Sequence, residues 1–186
     1  RPGPGKGSGI LLDRGVGHAP PRMVQNSDGA GAPVGSLKPE VQQLIDAIKK
    51  LDEAQPAATA KPEEFEKYHA TRFKYLAKLA DVASSAEERD SWQRQLIEGI
   101  FAATQSGTYN GGLPQLQEME AGFAKSAKDD PIYPYVIFRR LLTGYMLDLN
   151  KAAVADRQKV QDELMKSLED FTTEFPKAED RPDALL

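Results

Sequence analysis

The sequence predicts an all-α chain, and three observations carry that prediction. Apolar residues recur at helical spacing in six successive segments, each segment opens on a proline, a capping residue or a turn, and the connections run to about 3 to 10 residues. Connections this short join antiparallel neighbours, so the expected architecture is about six helices in hairpins, stacked as a short solenoid or as a helical bundle.

The first helix is read from Val41, Leu44, Ile45, Ile48 and Leu51, behind Pro39 in the first turn, and it ends before Pro56. The second starts at Pro62-Glu63-Glu64, with acids on the positive end of the helix dipole. Phe65, Tyr68, Leu76, Leu79 and Ala83 form its apolar face. The third opens on Ser85-Ala86-Glu87-Glu88, a capping-box pattern. It carries Trp92, Leu96, Gly99, Ile100 and Ala103 inward and stops at Ser106-Gly107.

A glycine-rich turn over Tyr109 to Pro114 leads to a shorter helix with Leu116, Met119, Phe123 and Ala127 inward. Tyr133 to Leu149 is apolar nearly all round, as a helix with neighbours on several sides would be. Tyr135 to Phe138 also fits a strand by composition, although Pro134 disfavours a central one. Asn150 is expected to cap the sixth helix, whose stripe is Val160, Leu164, Leu168, Phe171 and Phe175 before Pro176. Asp180 to Leu186 reads as a seventh helix just beginning, which suggests that the native chain continues.

Residues 1–35 differ in kind. They hold nine of the 15 glycines and five of the 13 prolines and no aromatic residue, so they read as a flexible tail ahead of an all-helical domain over 36–186. Four basic residues against two acidic ones give this tail +2, and the net charge of −4 leaves −6 on the rest. The short apolar stretches Ile10 to Leu12 and Met23-Val24 are candidate docking points within it. A body of 36–186 is large enough to bury a core without disulfides or metal.

Several chemistries are excluded or disfavoured by residue type. With no cysteine there is no disulfide, thiolate nucleophile or Cys-based zinc site. The acidic balance argues against nucleic acid as a partner, and the most apolar stretch, Ile132 to Leu149, is broken by Arg139, Arg140 and Asp148, so no membrane span is expected.

Glu66-x-x-His69 has the spacing of the carboxylate–histidine pairs of di-iron bundles, but the only other histidine is His18, and two such pairs are needed. His69 therefore reads as a surface or half-buried helix residue. Arg139 and Arg140, set in an apolar helix, are expected to find carboxylates. Lys67, Arg72, Lys74 and Lys78 interleave with Glu63, Glu64, Glu66 and Asp81 and read as a solvated mixed-charge face. No catalytic residue, cofactor or metal site is assigned.

Two resemblances add to this reading. Leu168-x-x-Phe171-x-x-x-Phe175-Pro176 followed by Ala184-Leu185-Leu186 is similar to a tetratricopeptide repeat junction. Residues from about 65 onward, with Arg89-x-x-Trp92-x-Arg94-Gln95, Gln105-Ser-Gly-x-Tyr109 and Phe175-Pro176 through Leu186, resemble the helical region preceding the thioredoxin-like domain of certain large exported bacterial redoxins. That resemblance implies an exported or periplasmic setting and a catalytic domain downstream, so no active-site residue carries over to this chain.

The expected function is a non-catalytic, tetratricopeptide-like module that binds a protein or positions its own downstream domain. Tyr133, Tyr135, Phe138, Arg139, Arg140 and Tyr145 are its candidate partner-contact or core-helix residues. The alternatives are a helical bundle holding an apolar ligand, haem or metal near His69, and a structural subunit of a larger assembly.

Overall fold

The structure is a computed structural model that describes residues 38–184, and every one of the six expected helices is present there. They are α1 (Pro39–Glu53), α2 (Pro62–Val82), α3 (Ala86–Gln105), α4 (Gly112–Ser126), α5 (Ile132–Lys151) and α6 (Arg157–Glu174). A 3₁₀ turn, Val154–Asp156, precedes α6, and a four-residue helix, α7 (Arg181–Ala184), follows it. The readings made on residues 1–35, and on Leu185 and Leu186, lie outside the described residues.

Local chemistry explains where the helices start and stop. Pro39 and Pro62 each occupy the first turn, where a missing N–H costs nothing. The Ser85 hydroxyl accepts from the Glu88 amide at 3.1 Å, and the Glu88 carboxylate accepts from the Ser84 amide at 2.7 Å, so two orphan donors of α3 are satisfied. The other end of α3 closes in a Schellman motif. Gly107 has φ 73°, its N–H donates to the Thr104 carbonyl at 3.0 Å, and the Thr108 N–H donates to the Ala103 carbonyl at 2.9 Å.

Three expectations are corrected. Asn150 does not cap a helix, because α5 runs on to Lys151 and breaks only where Ala152 and Ala153 turn extended. Ala83 follows α2 instead of lying on its inner face. The strand alternative for Tyr135 to Phe138 is excluded, since all four residues are helical. Leu76 and Leu79 of the expected stripe on α2 are fully buried, but Phe73, equally buried at 1% exposed, is one that stripe omitted.

Pairing between helices is serial. Among the described residues α1 packs mainly on α2, α2 on α3, α3 on α4 and α5, α4 on α5, α5 on α6, and α6 on α7. One core cluster joins Val41 of α1, Phe73, Leu76 and Leu79 of α2, Ile97 and Ile100 of α3, Leu116 of α4, and Ile132 and Val136 of α5. A second joins Ile137 and Phe138 of α5 to Leu168 and Phe171 of α6 and Ala184 of α7. Helix α5 therefore belongs to both, which accounts for its apolar residues on several sides. Phe73 sits flush on α3 because Gly99 has no side chain; a Cβ there would lie 2.8 Å from Phe73 Cε1.

Candidate functional site

Two faces of α5 divide the candidate residues. Ile132, Tyr135, Val136, Arg139 and Thr143 recur at i, i+3, i+4, i+7 and i+11 and look toward α3. There Glu98 accepts from both the Tyr135 hydroxyl and Arg139 Nε. The Tyr135 ring lies between two guanidiniums, with Arg94 4.6 Å and Arg139 5.1 Å from its centroid. Burial first, then the hydrogen bond to the Glu98 carboxylate, pushes the Tyr135 phenol up to about 12.

The remaining candidates follow the same logic. Phe138 packs against Phe171 at 5.6 Å and Tyr133 stands edge-on to Phe175 at 5.7 Å. Arg140 Nε and Nη2 donate to the two oxygens of Glu120 on α4. Both arginines of the apolar helix thus find carboxylates, as a partly desolvated guanidinium requires. Tyr133, Tyr135, Phe138 and Arg139 are used in internal packing.

Arg140 and Tyr145 belong to the opposite face. Leu141, Gly144, Tyr145 and Asp148, at i, i+3, i+4 and i+7, form the floor of a groove of about 260 Å³. Leu113 and Gln117 of α4 flank it on one side, and Val160, Glu163 and Leu164 of α6 on the other. Among the described residues the two flanking helices do not pack on each other, and none covers α5 between them. A Cβ placed on Gly144 would meet no atom within 4 Å. Within α5 only Thr143 is buried beyond Phe138, so this half of the helix is thinly covered.

The Glu66-x-x-His69 pair is a latch for the turn between α3 and α4. Glu66 accepts from the Asn110 amide at 2.9 Å and the Gly111 amide at 3.3 Å, and His69 Nε2 lies 3.0 Å from Thr108 Oγ1. Burial and the nearby Arg72 charge hold the His69 imidazole below its usual 6.5. Among the described residues no group of three or more His, Asp or Glu side chains is placed to hold a metal ion.

Beside His69 a shallow cleft of about 460 Å³ opens where α1, α2 and α3 meet. Asp52 there accepts from the Tyr68 hydroxyl at 2.8 Å and from Arg72 Nε at 2.9 Å and Nη2 at 3.3 Å. Burial, then the Asp52 hydrogen bond and charge, push the Tyr68 phenol up to about 12, so it is no nucleophile near neutral pH.

The latch and this polar cluster escaped sequence reasoning, because their partners are a distant loop's backbone amides and a helix 16 to 20 residues away. Gly144, a glycine inside an apolar helix, is the sequence signal that could have marked the groove. Among the described residues no helix is long and apolar enough to cross a membrane. No protein-family model, curated protein or solved structure matches the chain.

Proposed function

We propose that this chain is a helical interaction or domain-positioning module that holds a partner protein and performs no chemistry of its own. The observation that carries the reading is the uncovered stripe Leu141, Gly144, Tyr145 and Asp148 between α4 and α6. A helix-interior glycine is less favourable than alanine by about 1 kcal/mol, and among the described residues no neighbour uses the space Gly144 leaves. Serial pairing of helices supports the tetratricopeptide-like version of the reading, since stacked hairpins expose such grooves between alternate helices. The resemblance to the helical region of exported redoxins supplies a partner class, a thioredoxin-like domain in the same polypeptide or in another. The −6 carried by residues 36–186 disfavours nucleic acid.

A photo-crosslinking side chain at Tyr145, compared with one at Glu169 on the exposed side of α6, tests this in extracts of the native source. Adduct formation at position 145 alone is expected. Equal labelling at both positions, or none, refutes the reading, and so does catalytic turnover by the chain itself.

A second reading, a small ligand in the cleft beside Asp52, Tyr68, His69 and Arg72, rests on that cleft's volume of about 460 Å³. A visible absorbance band or a stoichiometric metal that vanishes in His69→Ala would establish it in place of the first.

A further inference from the structure

Resting on the interaction reading, we infer that the groove over Gly144 receives a basic amphipathic helix from a partner domain. Three properties of the groove select that occupant.

The first is shape. The stripe from Leu141 to Asp148 covers eight residues, about 10 Å or two helical turns, along the axis of α5. At about 260 Å³ the groove falls below the range of small-molecule pockets, and it lies open along its length, so it suits side chains from an extended object better than an enclosed ligand. Helices approach to about 8 Å only where the residues between them are small, and Gly144 lies at the centre of the floor. Of the other two glycines in open space, Gly107 closes the C-terminus of α3 and Gly122 is exposed on α4.

The second is mixed lining. Leu113, Leu141, Tyr145, Val160 and Leu164 present hydrocarbon from three helices beside the polar Gln117, Asp148, Glu163 and Ser167, which suits an amphipathic helix with a narrow apolar face at i, i+3, i+4 and i+7.

The third is charge. Arg140 is neutralised by Glu120, which leaves Asp148 and Glu163 as the groove's acids. Asp148 is exposed and has no ion-pair partner among the described residues. Glu163 meets only Lys159, at 3.9 Å, with the two side chains 67% and 78% exposed. A second copy of this chain is disfavoured, because it would bring one acidic body against another. Lysine or arginine flanking the apolar face of the incoming helix complements both acids.

The test uses the full chain and two labelled model peptides of about 18 residues, long enough to form a helix on the surface. One has a leucine face flanked by lysine, and its twin has glutamate in place of lysine. Fluorescence anisotropy should show the lysine peptide binding about tenfold or more tightly than its twin, with the difference shrinking as salt rises. Asp148→Lys with Glu163→Lys should reverse the order, and Gly144→Leu should weaken the lysine peptide at least about tenfold without lowering the unfolding midpoint. Should Gly144→Leu fail to fold, the charge-reversed pair and Gly144→Ala decide the matter alone.

Equal affinity for the twins, or lysine-peptide binding untouched by these substitutions, overturns the inference. A cross-link at Tyr145 to a partner without a basic helix removes the inference and leaves the interaction reading standing. No cross-link and no groove-dependent peptide binding removes both.

Discussion

Gly144→Ala is expected to stabilise the chain by about 0.5–1 kcal/mol, an unusual sign for a substitution in a helix that joins two core clusters. Alanine gains about 1 kcal/mol over glycine in a helix interior, and the new Cβ meets nothing within 4 Å, so no packing penalty offsets the gain. For a domain of this size the midpoint temperature should rise by about 1–4 °C. Urea unfolding followed by helical circular dichroism and by the fluorescence of Trp92, the single tryptophan, gives the difference directly.

Two neighbouring glycines calibrate the result. Gly99→Ala drives a Cβ to 2.8 Å from the ring of the fully buried Phe73, so overpacking outweighs the propensity gain and stability falls by about 0.5–2 kcal/mol. Gly112→Ala places its Cβ 1.8 Å from Thr104 Oγ1. That hydroxyl is itself fixed by a 2.7 Å bond to the Ile100 carbonyl, so the loss reaches about 2–3 kcal/mol or more. The expected order of stability is Gly144→Ala, wild type, Gly99→Ala, Gly112→Ala. A Gly144→Ala protein no more stable than wild type would mean that the groove is filled from within, and would refute both the empty-groove geometry and what is built on it.

Further substitutions probe the polar networks. Glu98→Ala strips the carboxylate from Arg139 and Tyr135 together and should cost about 1–2 kcal/mol, with much of the loss recovered in the Glu98→Ala, Arg139→Met double variant; urea midpoints of the four proteins measure the coupling. Glu66→Ala should accelerate hydrogen exchange at the Asn110 and Gly111 amides while leaving the core of α3 protected. His69 in the folded chain lies below 6.5, so the unfolded chain takes up its proton first: its stabilising contribution is complete above pH 6.5 and is lost as pH falls through the folded value. Wild type should therefore lose more stability than His69→Gln between about pH 7.5 and about pH 5.5. In ultraviolet difference titration two of the six tyrosines should ionise only near pH 12, and Tyr135→Phe should remove one of them.

Much of the helix pattern was legible because its signals are local. Pro39, Pro62, Ser85 and Gly107 each act within one turn, and each marks a boundary the structure has. The break after α5 was not legible for the same reason: Lys151, Ala152, Ala153 and Val154 contain no proline, glycine or capping side chain, and Asp156 ahead of α6 makes no side-chain cap. The inner face of α2 was read in part: Leu76 and Leu79 lie deepest as expected, but Phe73 lies equally deep with His69 stacked on it at 5.6 Å, while Phe65 and Tyr68 are only half-buried. Pairing of Arg139 and Arg140 with carboxylates followed from the cost of desolvating a charge, but which carboxylates, Glu98 and Glu120, depends on helix register that no single sequence displays.

Serial pairing of the helices bears on how the chain is made. Among the described residues every helix–helix contact joins a helix to the next one or the next but one, so none of these contacts must wait for a distant segment to be synthesised. Low sequence separation between contacting residues makes for quick folding. It also lets the α2–α3 hairpin, with its Glu66 latch closing as Asn110 and Gly111 emerge, serve as a template onto which α4, α5 and α6 add in order of translation.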